Sequence, residues 1–159
     1  MNFSKLFKTL GITITIASAS IFGNLKMVRS EAPTQIITYP GQPVVVIFSE
    51  RGESYAIGCQ EFVNVFQTSV VSVRNAQQWN SLLSKFPVVG DIHCNGRTRL
   101  YAPSGEPGAI VFRHRDGKYY RHYVDNIKFF SAIGGNPIPI SADEFRQEFP
   151  NRGVDFHSK

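Results

Sequence analysis

The chain has 159 residues, 17 of them Lys or Arg and 12 Asp or Glu, and without residues 1–32 what is left is enough for one domain with a real core and too little for two. No apolar run after the N-terminal one is long enough to be a second membrane-spanning helix. The formal charge of +5 falls to +2 once residues 1–32 are set aside, because they hold Lys5, Lys8, Lys26 and Arg29 against Glu31 alone.

Those first residues have the form of a secretory signal peptide. Lys5 and Lys8 precede an apolar run from Leu10 to about Phe22, with the small triplet Ala17-Ser18-Ala19 inside it. Cleavage is expected after Ala19 or after Ala32, and residues 33–159 are expected to form a single exported domain, secreted or periplasmic. The run is shorter than the ~20 residues that span a bilayer, which favours export with removal over an uncleaved signal anchor.

Residues 33–43, with Pro33, Pro40, Gly41 and Pro43, read as an extended lead-in. Residues 44–49 are a continuous β-branched run of buried-strand length, and a polar turn at 50–53 predicts an antiparallel partner over 54–59. Residues 62–73 read as a strand by their β-branched content, with allowance for a helical turn near 60–66. Asn75 can cap a three-turn helix over about 75–86, in which Trp79, Leu82, Leu83 and Phe86 form one apolar stripe; Pro87 ends it. Residues 88–94 and 97–101 suggest a strand pair around Asn95-Gly96. Residues 126–133 read as one more strand and 134–139 as irregular. Ser141-Ala142-Asp143-Glu144 opens a short C-terminal helix over about 141–149 that packs Phe145 and Phe149 inward; the tail after Asn151 is expected to fray. No internal repeat is apparent. The expected fold is α+β, mainly β: an antiparallel sheet of five to seven strands, flat or curled, carrying these two helices.

Cys59 and Cys94 both fall in the exported part, where an isolated pair is most simply a disulfide. A metal site would need more ligands than two cysteines, and His93 beside Cys94 matches no zinc spacing, so neither metal nor cofactor is expected. The stretch from Tyr55 to Val63 resembles the cysteine segment of NlpC-type cell-wall peptidases. That resemblance implies a Cys59 nucleophile, and His114 lies 55 residues on. Gly58 and Gln60 stand where that family has the flanks of its Asp-Cys-Ser-Gly core, and Arg113 precedes His114 where it has Gly-His-Val.

The strongest local signal is Asp116-Gly117 between two β-prone runs, which predicts a two-residue hairpin turn. In that register Arg115 opposes Lys118, Arg113 opposes Tyr120 and Val111 opposes His122. Arg113, Arg115, Lys118, Tyr120 and His122 then lie on the wet face. Ile110, Phe112 and His114 turn inward with Tyr119, Arg121 and Tyr123. Residues 97–128 carry a net +4, whereas 33–96 and 129–159 carry −1 each.

Functionally, the reading is an exported, non-enzymatic binding domain. Its working surface comprises Arg97, Arg99, Arg113, Arg115, Lys118, Tyr120 and His122, facing an acidic polysaccharide, lipid head groups or an acidic protein surface. Export makes intracellular nucleic acid a poor partner, and only the leader would meet a membrane. The alternatives are a hydrolase using His114 and His122 as an acid–base pair with Asp125 orienting them, or a structural component of an extracytoplasmic complex.

Overall fold

Residues 33–158 are described by a computed structural model. Seven elements follow one another and then recur in the same order. The first set is β1 (Gln35–Thr38), β2 (Val44–Phe48), β3 (Glu53–Ile57), α1 (Gln60–Val65), β4 (Val70–Ser72), α2 (Ala76–Lys85) and β5 (Val88–Ile92). The second is β6 (Arg99–Pro103), β7 (Ala109–Arg113), β8 (Tyr119–Tyr123), α3 (Lys128–Ile133), β9 (Ile138–Ile140), α4 (Ala142–Glu148) and β10 (Asn151–Arg152).

The pairing repeats as well. One sheet runs β4-β1-β2-β3-β5 and the other β9-β6-β7-β8-β10. In each, the three middle strands are antiparallel and both edge strands are parallel to their neighbours. The protein is therefore a structural duplication of one βββαβαβ unit.

The sequence trace of this repeat is slight, but each part has a physical cause. Asn75 and Ser141 cap the two outer helices, accepting hydrogen bonds from the N–H groups of Gln78 and Glu144. Phe86-Pro87-Val88-Val89-Gly90 and Phe149-Pro150-Asn151-Arg152-Gly153 end the two halves alike. In both, Pro stops the helix, and Gly leaves room for a ring from the adjoining strands. A Cβ on Gly90 would lie 2.7 Å from Phe112 Cε2, and one on Gly153 would lie 2.0 Å from His122 Cε1.

Three apolar layers result. Ile37, Val45, Ile47 and Val73 bury Trp79 of α2 against the outer face of the first sheet. Tyr101, Ala109, Val111 and Tyr123 receive Phe145 and Phe149 on the outer face of the second. Between the sheets, Phe48, Tyr55, Phe62, Phe66, Phe112 and Phe129 lie in one continuous core that includes both short inner helices. Each fully buried aromatic or aliphatic side chain there contributes roughly 1.5–3 kcal/mol.

Several expectations change. The sheets are mixed and number two, where one antiparallel sheet was expected; the domain remains mainly β with short helices. Residues 62–73 divide between α1 and β4. The stretch 126–133, expected as a strand, instead supplies α3 over Lys128–Ile133, because Phe129, Phe130 and Ile133 at helical spacing all reach the inner core. The lead-in supplies β1 and the irregular stretch supplies β9. Residues 88–94 and 97–101 do not pair: β5 lies parallel to β3, while β6 begins the other sheet. The tail is anchored, since Val154 and Phe156 are buried. The hairpin at 44–57 and the helices α2 and α4 stand where expected.

Cys59 and Cys94 form a disulfide with a Cα separation of 6.0 Å. It ties the start of α1 to the connection between the halves and rules out Cys59 as a free nucleophile. Among the described residues no helix is long and apolar enough to cross a membrane. The signal-peptide reading falls outside the described residues.

Candidate functional site

Strands β7 and β8 pair Arg113 with Tyr119, Phe112 with Tyr120 and Ile110 with His122. This is one residue away from the register that a two-residue turn requires. His114 N–H donates to Lys118 O at 2.8 Å and Gly117 N–H to His114 O at 3.0 Å, so the loop holds three residues, 115–117. Gly117 at φ 85° supplies the left-handed step such a loop needs. The Asp116 carboxylate favours it too, accepting the Lys118 N–H at 2.9 Å and the Tyr120 hydroxyl at 2.8 Å.

A slip of one residue moves every side chain on one strand to the opposite face relative to its partner strand. His114 and His122, expected on opposite faces, therefore converge, with their Nε2 atoms 2.9 Å apart. His122 is fully buried between Phe112 and Phe156, stacked on both rings. Its Nδ1 lies 2.7 Å from Val154 O, an atom that can only accept, so Nδ1 carries the proton. Nε2 of His122 is then an acceptor, and His114 must donate to it from its own Nε2. Tyr120 stacks on His114 with ring centroids 3.9 Å apart. Burial holds both imidazoles neutral, pushing His114 down to about 4 and His122 to about 3.

Beside this pair lies a cleft of about 260 Å³ between the two hairpins. Glu53 accepts from the Tyr55 hydroxyl at 3.0 Å on one side of it. Tyr120, half-buried, stands on the other.

The seven expected surface residues do not form one patch. Arg115 is held by a bidentate pair with Asp91 at 3.0 and 3.1 Å, which draws the loop onto β5. Tyr120 turns inward against His114, and His122 is buried, neither being on the wet face as expected. Lys118 is exposed opposite His114, on the side away from Arg113.

Arg99 and Arg113 do share a face, the outer one of the second sheet, since both alternate with inward-facing core residues. Arg121 joins them, donating from Nη1 to Phe149 O at the end of α4. Tyr119 completes the set, partly exposed, and Arg97 lies exposed just before β6. Neither Arg121 nor Tyr119 was foreseen there. The only signal was the three-residue alternative for the Asp-Gly loop, which would have turned both outward with Arg113.

Asp125 pairs with His157 at 3.3 Å and accepts from Ser158 N–H, so it does not orient the His114–His122 pair. His93 contributes its backbone N–H to Thr98 Oγ1 at 3.2 Å. Among the described residues no three His, Cys, Asp or Glu side chains gather around a point that could hold a metal. No protein-family model matches the chain, and no curated protein or solved structure does either.

Proposed function

We propose that this is an exported binding domain whose outer second-sheet face, around Arg99, Arg113 and Tyr119, recognises an extended anionic partner. The observation that carries this reading is a comparison internal to the chain. Matched by their strand-pairing registers, the two halves set Ile37 against Tyr101, Val45 against Ala109 and Ile47 against Val111, each facing an outer helix. In the same register Gln35 corresponds to Arg99, Ser49 to Arg113 and Ser54 to Arg121.

The scaffold is thus satisfied by neutral residues at all three positions. Ser54 even makes the equivalent of Arg121's bond, donating from its hydroxyl to Phe86 O at 2.9 Å. Folding does not call for the arginines; a negatively charged partner does. Among the described residues Arg97, Arg99 and Arg113 form no ion pair with a carboxylate. Arg113 is steadied instead by donating from Nε to Gly117 O at 2.8 Å.

The cations sit on adjacent strands, ~4.8 Å apart each, so they spread over ~10 Å and suit a repeating charge better than a single ion. An acidic polysaccharide fits that spacing. The test is retention on immobilised heparin across a salt gradient, with anionic vesicles and an acidic protein as parallel arms. Earlier elution of Arg99→Ser/Arg113→Ser, at unchanged thermal stability, supports the reading. Identical elution of the variant and the parent would overturn it, and selective binding to vesicles or to the acidic protein would reject the polysaccharide as partner.

A further inference from the structure

The cleft between the two hairpins uses none of the arginines just described, and here too the halves differ. In the internal register Tyr55 corresponds to His122, and Ile57 to Val124. Gly90 and Gly153 stand beside Tyr55 and His122 respectively. The first half fills this buried position with a tyrosine, an efficient core residue. The second half fills it with an imidazole, which costs more to remove from water and is satisfied by Val154 O at one nitrogen and by the His114 ring at the other.

The hydrogen-bond chain has a fixed direction. Val154 O accepts from Nδ1 of His122, and Nε2 of His122 accepts from Nε2 of His114. Nδ1 of His114 is left unprotonated, and it has no hydrogen-bond partner among the described residues. The His114 ring lines the cleft.

The charged part of the lining is three arginines, Arg51, Arg115 and Arg152, and two carboxylates, Glu53 and Asp116. Arg115 and Arg152 are each matched by a carboxylate, Asp91 and Asp155. Glu53 and Asp116 each bind a tyrosine hydroxyl. Such a wall, nearly balanced in charge, selects against ions and in favour of molecules rich in hydroxyl groups. A volume of about 260 Å³ lies just below the usual range for ligand sites, and Tyr120 adds an aromatic surface.

We propose that this cleft binds a small, neutral, hydroxyl-rich molecule about the size of one sugar ring, one of whose hydroxyls donates to Nδ1 of His114. His122 acts as a positioning residue that sets the His114 tautomer.

The test is nitrogen-detected NMR of the imidazoles in the intact, disulfide-bonded protein, titrated with glucose, galactose and N-acetylglucosamine. The expected result is Nε2-protonated His114, Nδ1-protonated His122 and a saturable shift of His114 Nδ1 with at least one sugar. His122→Phe, whose ring fits a position the other half gives to tyrosine, should weaken that binding at least tenfold. Arg99→Ser/Arg113→Ser should leave it intact, which separates this site from the basic face. A His114 protonated on Nδ1, or no saturable shift with any of the three sugars, overturns the proposal. The tautomer readout needs no variant, so it stands even if His122→Phe does not fold.

Discussion

Gly153 lies so close against His122 that a Cβ at that position would stand 2.0 Å from the imidazole Cε1 and 2.6 Å from Nδ1. The contact is with a fully buried ring that is stacked on Phe112 and Phe156 and bonded to Val154 O. Neither side can yield without breaking that bond.

Gly153→Ala is therefore expected to destabilise the domain by about 3 kcal/mol or more, at the upper end of overpacking costs. Chemical denaturation measures this directly. A cost under 1 kcal/mol would mean that β10 can move away from β8 freely, contrary to the packing described.

Stability should fall in acid through the same pair. Both histidines have folded-state values below the ordinary 6.5, at about 4 for His114 and about 3 for His122. The unfolded chain therefore takes up protons at a pH where the folded one does not. Stability is greatest above pH ~6.5 and falls as pH drops through 6.5 towards 4, by up to about 1.4 kcal/mol per histidine for each pH unit. Thermal melts at pH 7, 5.5 and 4.5 should show the decline, and His122→Phe should flatten it. A pH-independent midpoint over that interval would contradict neutral, buried imidazoles.

Reducing the Cys59–Cys94 bond, or replacing both residues by Ser, opens a loop of 35-residue separation. The expected loss is about 3–4 kcal/mol, the chain-entropy value for a loop of that length. Comparing denaturation midpoints with and without reductant tests it.

The Arg115–Asp91 pair is predicted to matter little for stability despite its two hydrogen bonds. Its side chains are 56% and 39% exposed, and exposed ion pairs contribute about 0–1 kcal/mol. A double-mutant cycle with Arg115→Ala and Asp91→Ala should return a coupling in that range, shrinking with added salt. A much larger coupling would show that the loop's attachment to β5 is a structural anchor.

The local features were legible because their causes are local. Asn75 and Ser141 cap helices with their own side chains, Pro87 and Pro150 stop them, and Cys59 and Cys94 have only each other to pair with. The 44–57 hairpin declares itself by a β-branched run and a polar turn. The hairpin at Asp116-Gly117 was legible as a reversal, but its loop length was not. Two- and three-residue loops share the same Gly, and the three-residue form is held by the Asp116 carboxylate on Lys118 N–H and Tyr120 together with contacts to Asp91 and Val89 on β5. That single residue decided the candidate site, bringing His114 and His122 together and sending Arg115 to a carboxylate.

What the chain alone determined is the inventory: the caps, the turns, the pair of cysteines and a central stretch richer in cations than the rest. What only the tertiary structure decided is the arrangement, and above all the duplication. Sheet pairing joins residues far apart in sequence through backbone bonds that carry little side-chain signature, so two copies of one unit can diverge almost completely while keeping the same strand order. Their correspondence becomes visible in the repeated strand pairing, and Gly90 and Gly153 making room for rings in each half agree with it.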